Sequence, residues 1–429
     1  MSHLAHARTH AEDLADFVAA SPSSYHAAEE VARRLVAQGF TRLDETEAWP
    51  AQAGGRFVIV RDGAAIAWVV PAKAAATTPT HVLGAHTDSP GFKLKPRPTI
   101  GAKGWLQAAV EVYGGPLLNS WLDRELRLAG RLALADGRVV LAATGALLRL
   151  PQLAIHLDRG VNNNGLALDK QFETQPVWGL GDPVESDLLA ELADAAGVDP
   201  LEIRGFDAVV ADSARGAIFG KDDAFFASGR LDNLASVHAG VVALGEIAAH
   251  GDPDRIAVLA AFDHEELGSE SRSGAAGPIL EDVLERIYAG LGADAVDVRR
   301  AYAASWCLSS DVGHSVHPNY VGKHDPVVQP VLGSGPILKI NANQRYATDA
   351  VGAAAWHGWC DAAGVVTQEF VSNNDVPCGT TIGPLTATRL GIRTVDVGIP
   401  ILSMHSAREL AGVRDLHDLA TVAKAFFAA

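Results

Sequence analysis

The chain has 429 residues, 48% hydrophobic and 20% charged, the composition of an ordinary globular protein and a length that implies two domains rather than one core. Its formal net charge of −16 speaks against nucleic acid or an anionic membrane as a partner, because both require basic surface. No run approaches the roughly 20 apolar residues of a membrane span.

The N-terminal stretch MSHLAHARTHAEDLADF carries acids and no apolar centre, unlike a secretion signal. Two helices are expected first, over residues 7–20 and 25–38, separated by Ser21-Pro22-Ser23-Ser24, which supplies caps, and closed by Gly39. Strands are expected at 56–61 and 64–70, turned by Asp62-Gly63. A short apolar strand at 81–85 then runs into His86-Thr87-Asp88-Ser89-Pro90. From about Lys93 the texture changes. Residues 105–112, 126–134 and 138–143 read as antiparallel strands with Asp136-Gly137 as a hairpin turn, followed by a helix at 187–196 and a strand at 207–212. Strand–helix alternation returns near Ser228, with helices at 233–250 and 279–291 and strands at 256–262 and 302–309. The last third reads as a helix at 347–363, a strand at 365–371, a helix from Pro384, a strand at 393–397 and a helix at 415–427. The simplest parse is an α/β domain, 1–92 with 231–429, interrupted by a β-rich insert over 93–230.

The stretch RIAVLAAFDHEELGSE, 255–270, locates the chemistry. Its apolar run reads as a strand buried on both faces, and Asp263, His264, Glu265 and Glu266 follow at once. Acids at the carboxyl end of a buried strand stand where an α/β fold places its active site. Four other places bring metal-type ligands to element edges: His86 in GAHTDSP, Asp232 in SGRLDNLAS, Asp311 in SSDVGHSVHP and His405 in PILSMHSARE. A single histidine beside a strand is usually a satisfied polar residue; five such places together point to a metal site. Imidazole and carboxylate without thiolate suit zinc, or manganese or cobalt in the same geometry. One bridging carboxylate, plus a histidine and a carboxylate for each ion, describes two metals roughly 3.5–4 Å apart. That inventory leaves one of the adjacent glutamates over, free to act as general base. Asp88, two residues beyond His86, points to the same side of an extended segment and is placed to orient the imidazole. The three cysteines, Cys307, Cys360 and Cys378, have no CxxC spacing and imply a reducing compartment, so a cytoplasmic enzyme is expected.

The motifs GAHTDSPGFKLKP, GRLDN, FDHEELGS, SSDVGHSVHPNY, ILKINANQRYATDA, NDVPCGTTIGP and MHSARE closely resemble those of the aspartyl aminopeptidase family, in family order along nearly the whole chain. The resemblance implies a zinc-peptidase-like α/β fold, a central mixed sheet flanked by helices, with the insert used for dimer contacts in a dodecameric homo-oligomer. It implies two zinc ions per subunit, with manganese or cobalt possible at one position. His86 and Asp311 would hold one ion, Glu266 and His405 the other, Asp232 would bridge, and Glu265 would be the base. Peptide contacts would fall to His156, His314, Lys339 and Tyr346, and Lys339 would pair with an N-terminal Asp or Glu side chain. His156 as a third histidine ligand is a weaker alternative. Two other readings stand beside this one: a deacylase or carboxypeptidase on the same metals, which would need an arginine clamp, and a non-catalytic assembly protein.

Overall fold

The computed structural model describes residues 3–251 and 253–429. The segment Ile256–Phe262 is a strand with all seven side chains buried. Its period-two alternation feeds two different cores. Ala257, Leu259 and Ala261 pack with helices His3–Ala20, Ser24–Ala37, Leu231–His250 and Val413–Ala428, whereas Val258, Ala260 and Phe262 pack with Ile279–Gly290, Ala295–Ala304 and Ile382–Leu390. Helices on both faces explain why this strand carries no polar alternation.

Nine strands make the central sheet, in the order Thr41–Arg42, Arg56–Arg61, Ala64–Val69, Ile256–Phe262, Thr80–His86, Trp306–Ser310, Arg393–Gly398, Ile337–Lys339, Gln368–Phe370. The sheet is mixed. Ile256–Phe262 runs antiparallel to Ala64–Val69, and Thr80–His86 runs parallel to both Ile256–Phe262 and Trp306–Ser310. Three adjacent parallel strands therefore end at the same edge. Leu231–His250 contributes buried Leu234, Val237, Val241 and Leu244 to the helical layer.

A second, antiparallel sheet orders Val139–Ala143, Leu126–Leu134, Ile203–Asp212, Gly91–Ala102, Trp105–Tyr113 and Val177–Leu180 around Phe92, Val110, Leu128 and Leu132, with Leu188 and Leu192 of helix Leu188–Ala196 closing that core. A third sheet joins Ala217–Phe219 and Phe225–Ser228 to Glu409–Gly412, Pro400–Leu402 and Gly313–His314, so the end of the expected insert pairs with the last part of the chain. Several elements depart from the expected series, two of them for a physical reason that can be named. Residues 302–304 lie in the helix Ala295–Ala304, not in a strand, because Asp294 caps it by accepting from the Val296 and Asp297 amides. The strand Gly91–Ala102 went unanticipated. Pro96 and Pro98 break its pattern, and its pairing with Trp105–Tyr113 shifts register between Leu94 and Thr99, where proline needs no ladder donor. Among the described residues no helix is long and apolar enough to cross a membrane.

His81, inside Thr80–His86, is 2% exposed, stacks on Phe426 at 4.7 Å and sets Nδ1 2.7 Å from the Phe426 carbonyl. Burial, with Arg255 adding a lesser effect, pushes its pKa down to about 4. The unfolded chain takes up this proton near 6.5, before the folded chain does, so stability from His81 is full above pH 6.5 and falls as pH drops toward 4. The expected loss is up to about 3 kcal/mol from this group. Denaturant unfolding at a series of pH values checks it: His81→Gln should flatten the slope between pH 6.5 and 4, and an unchanged slope would remove His81 from the account.

Candidate metal centre

His86 is the last residue of Thr80–His86, Glu265 and Glu266 follow Ile256–Phe262, and Asp311 follows Trp306–Ser310, so three neighbouring parallel strands deliver four of the expected site residues. Asp232 comes from the start of Leu231–His250, where Asp232 and Asn233 depart from helical backbone. His405 lies in the turn between Pro400–Leu402 and Glu409–Gly412. Arg230, His264 and His405 each adopt left-handed backbone (φ 58°, 63° and 65°), one in each of these turns. Side-chain bonds lock the arrangement: Ser89 Oγ donates to the Asp232 carbonyl at 2.6 Å, and Asn233 Nδ2 to the Ser310 carbonyl at 2.8 Å.

The two oxygens of Asp232 face different imidazoles. Oδ1 lies 3.2 Å from His86 Nε2, and Oδ2 lies 3.4 Å from His405 Nε2. On the first side, Asp311 Oδ1 is 3.6 Å from His86 Nε2; on the second, Glu266 Oε2 is 3.5 Å from His405 Nε2. Glu265 Oε2 stands slightly further off, 3.9 Å from His86 Nε2. The Nδ1 atoms of His86 and His405 each lie 3.0 Å from a main-chain carbonyl, of Asp88 and Gly115 respectively. A carbonyl only accepts, so Nδ1 carries a proton and Nε2 is the nitrogen turned to the cluster, where it could give its lone pair to a cation.

These residues fit a divalent cation. One donor atom each of His86, Asp232 and Glu266 lies within 4.8 Å of the others. Glu266 Oε1 is buried without a hydrogen-bond partner, a costly state for a carboxylate. Burial, compounded by Asp232, pushes Glu266 well above the usual carboxylate range; burial, with Asp311 and Asp232 adding to it, lifts Glu265 to about 7. For His86, burial opposes the proton, but Asp232, Asp311 and Asp88 outweigh it and raise the pKa well above normal. The nitrogen–oxygen donor set is the kind zinc takes.

Support for the cluster comes from Asp88 and from two groups that motif reading does not single out, Tyr113 and Glu409. The Asp88 carboxylate, expected to orient His86, also accepts from the Glu265 amide (3.0 Å), the Glu266 amide (3.2 Å) and the Tyr113 hydroxyl (2.9 Å). Its Oδ1 is 3.4 Å from His86 Nδ1, further than its own carbonyl oxygen, which takes the imidazole bond. Tyr113 ends a strand of the second sheet, and nothing in its local pattern marks it. Glu409, the last residue of MHSARE, accepts from the Asp232 amide at 3.0 Å and the His405 amide at 2.8 Å.

The expected substrate contacts are placed differently from one another. Lys339 is only 2% exposed. Its Nζ donates to the Val312 carbonyl at 2.7 Å, lies 3.4 Å from Asp311 Oδ2, and sits 5.4 Å from the centre of the Tyr346 ring. Tyr346 is buried, and burial raises its hydroxyl pKa. Tyr346 and exposed His314 line one cavity with Lys323, His324, Phe370 and Cys378. Arg345 is exposed. His156 is exposed on the segment after Leu150, outside the cluster within this chain. Thr381 caps Ile382–Leu390 by accepting from the Gly383 amide, so the Gly379–Gly383 stretch serves a helix start.

The sequence matches the Aminopeptidase I zinc metalloprotease (M18) family over residues 17–427. It is 55% identical over 422 residues to the probable M18 family aminopeptidase 2 of Streptomyces coelicolor, which spans 98% of both chains. A chain of the Ape4 and Nbr1 complex superposes with a TM-score of 0.95 at 35% identity, covering 99% of this chain and 86% of that one. The S. cerevisiae mApe1 dodecamer superposes with a TM-score of 0.86 at 31% identity, over 97% of this chain and 96% of that one. The chain belongs to the M18 family of zinc aminopeptidases.

Proposed function

We propose that this aminopeptidase works with two zinc ions per subunit and prefers peptides beginning with Asp or Glu. The observation that carries the two-ion reading is the Asp232 carboxylate, whose oxygens lie 3.2 and 3.4 Å from two separate imidazoles. His86 and Asp311 would hold one ion, Glu266 and His405 the other, and Asp232 both. Zinc bound there supplies Lewis-acid activation of water and of the scissile carbonyl. Glu265 takes the proton of the attacking water and hands it to the leaving amine. Asp88, through the Glu265 and Glu266 amides, holds base and ligand in register. His314 and Tyr346 are available as donors to the developing oxyanion.

An ammonium donates three hydrogen bonds. Lys339 directs two toward the Val312 carbonyl and Asp311, which leaves one for a substrate carboxylate beside Tyr346. The oligomer we infer is a dodecamer, as in the yeast relative, with residues 93–230 supplying contacts between subunits. Support comes from exposed Leu153, Ile155 and Leu157, which flank His156, and from exposed Phe172 further along the chain, which give this stretch interface character. In that assembly His156 serves a neighbouring subunit's peptide site. Three cysteines without a disulfide agree with a cytoplasmic setting.

The test is release of Asp, Glu, Leu and Ala from N-terminal peptide amides. Acidic residues should leave fastest. Lys339→Ala should lower the Asp-to-Leu ratio by roughly 30-fold or more, the loss of one buried charged hydrogen bond. Leu is the internal control, because Lys339 also steadies Asp311. Equal release of Leu and Asp by the intact enzyme would end the acidic preference, and an unchanged ratio in the variant would remove Lys339 from it.

A further inference from the structure

We propose that Glu409 is a positioning residue that sets the spacing between the two halves of the metal site by gripping the main chain beneath Asp232 and His405. The inference rests on the reading above that both of these residues hold zinc. Glu409 is 1% exposed and opens the strand Glu409–Gly412, four residues after His405. Across the sheet it pairs with Ser228, the end of the strand Phe225–Ser228 that leads through Gly229 and Arg230 to Asp232. One carboxylate thus stands between the roots of two ligands. Oε2 accepts from the Asp232 amide at 3.0 Å, and Oε1 accepts from the His405 amide at 2.8 Å.

The same two turns touch backbone to backbone. A Cβ on Gly229 would lie 2.8 Å from the Ala407 carbonyl, so no side chain can stand between them. The grip is therefore short, buried and shared. A carboxylate accepts at both oxygens, whereas an amide of equal size accepts at one and turns an N–H donor toward the other. Glu409→Gln must release either the Asp232 or the His405 amide while leaving every ligand side chain in place. Asp88 holds the Glu265 and Glu266 amides in the same manner. Groups that orient ligands in this way typically govern metal affinity or activity by about 10–100-fold.

The experiment compares zinc-loaded wild type, Glu409→Gln and Asp232→Asn as full-length enzyme. It measures the rate of zinc loss to a chelator, the visible absorption after cobalt replaces zinc, and kcat and KM on a peptide amide. Glu409→Gln should lose zinc about 10–100-fold faster, shift the cobalt spectrum and lower kcat at nearly constant KM. If it fails to fold, Glu409→Asp, which keeps both acceptor oxygens on a shorter arm, should show the same changes in weaker form. A folded Glu409→Gln enzyme with wild-type zinc loss and cobalt spectrum would overturn the proposal, even if its melting temperature falls, because Glu409 would then be only a structural residue. If Asp232→Asn sheds zinc while Glu409→Gln does not, the ligand reading survives and the Glu409 proposal alone is lost. If Asp232→Asn keeps zinc as tightly as wild type, the ligand reading falls and the proposal falls with it.

Discussion

Glu265→Gln is expected to lower kcat by about 10²–10⁴-fold with zinc content and KM nearly unchanged, the range over which a positioned general base contributes. The argument begins with the backbone. His264 adopts left-handed geometry at the end of the Ile256–Phe262 strand, so Glu265 and Glu266 leave the sheet edge in a tight turn rather than in extended chain. Their amides both donate to Asp88, yet their carboxylates diverge. Glu266 Oε2 comes within 3.5 Å of His405 Nε2, while Glu265 Oε2 stays 3.9 Å from His86 Nε2. Glutamine matches the volume of glutamate and still accepts a hydrogen bond through its oxygen, but it cannot take a proton. The ligand cluster should therefore survive while proton transfer fails. Single-turnover and steady-state kinetics, with metal content measured on the same sample, decide the matter. Turnover above a tenth of wild type would mean that another group accepts the proton, and loss of zinc together with turnover would mean that Glu265 serves as a ligand.

Much of the fold was legible because buried strands announce themselves. Val82 to Ala85 and Ile256 to Phe262 are apolar without interruption, and each runs directly into ionisable residues. Three of the five expected ligand positions, His86, Glu266 and Asp311, lie together for the same reason, since adjacent parallel strands must end together, whereas Asp232 and His405 arrive from a helix start and from a turn of the third sheet. What stayed hidden depends on main-chain partners, which have no signature in a sequence. Asp88 lies two residues from His86, and that spacing points to the carboxylate–imidazole approach present at 3.4 Å; the two amides and the tyrosine from another sheet that its carboxylate also binds leave no mark in the sequence. Lys339 has Ile337, Leu338 and Ile340 as neighbours and, taken alone, reads as a strand lysine reaching water, but the Val312 carbonyl and Asp311 give its ammonium partners at 2% exposure. Glu409 lies inside MHSARE, yet its role carries no signal in the sequence, because it accepts from the main-chain amides of residues whose side chains carry the pattern.

Gly398→Ala is expected to cost more than any other single-methyl addition near the site, because Asp311 is held by a main-chain approach that no Cβ can share. Gly398 ends the strand Arg393–Gly398. A Cβ built there would stand 1.8 Å from the Asp311 carbonyl oxygen, 2.7 Å from its carbon and 3.2 Å from the Val312 Cα. All three are backbone atoms, so no rotamer change relieves the clash. The segment also has little freedom to retreat. The Asp311 amide donates to the Val397 carbonyl at 3.0 Å, the Gly313 amide to the Ile399 carbonyl at 2.8 Å, and Lys339 pins the Val312 carbonyl from the side. Overpacking of this kind costs about 1–3 kcal/mol in a well-filled core. The catalytic effect should be larger in proportion, since displacement of a site group by about 1 Å can cost roughly 10²-fold in rate. Gly358→Ala, on the exposed side of helix Ala350–Ala363 where a Cβ meets nothing within 4 Å, is the matched control and should stabilise by about 0.5–1 kcal/mol. Thermal unfolding and kcat/KM measured on both variants separate the cases. A Gly398→Ala enzyme that melts and turns over like Gly358→Ala would show that Asp311 tolerates displacement, and the close approach at Gly398 would then have no part in holding the site.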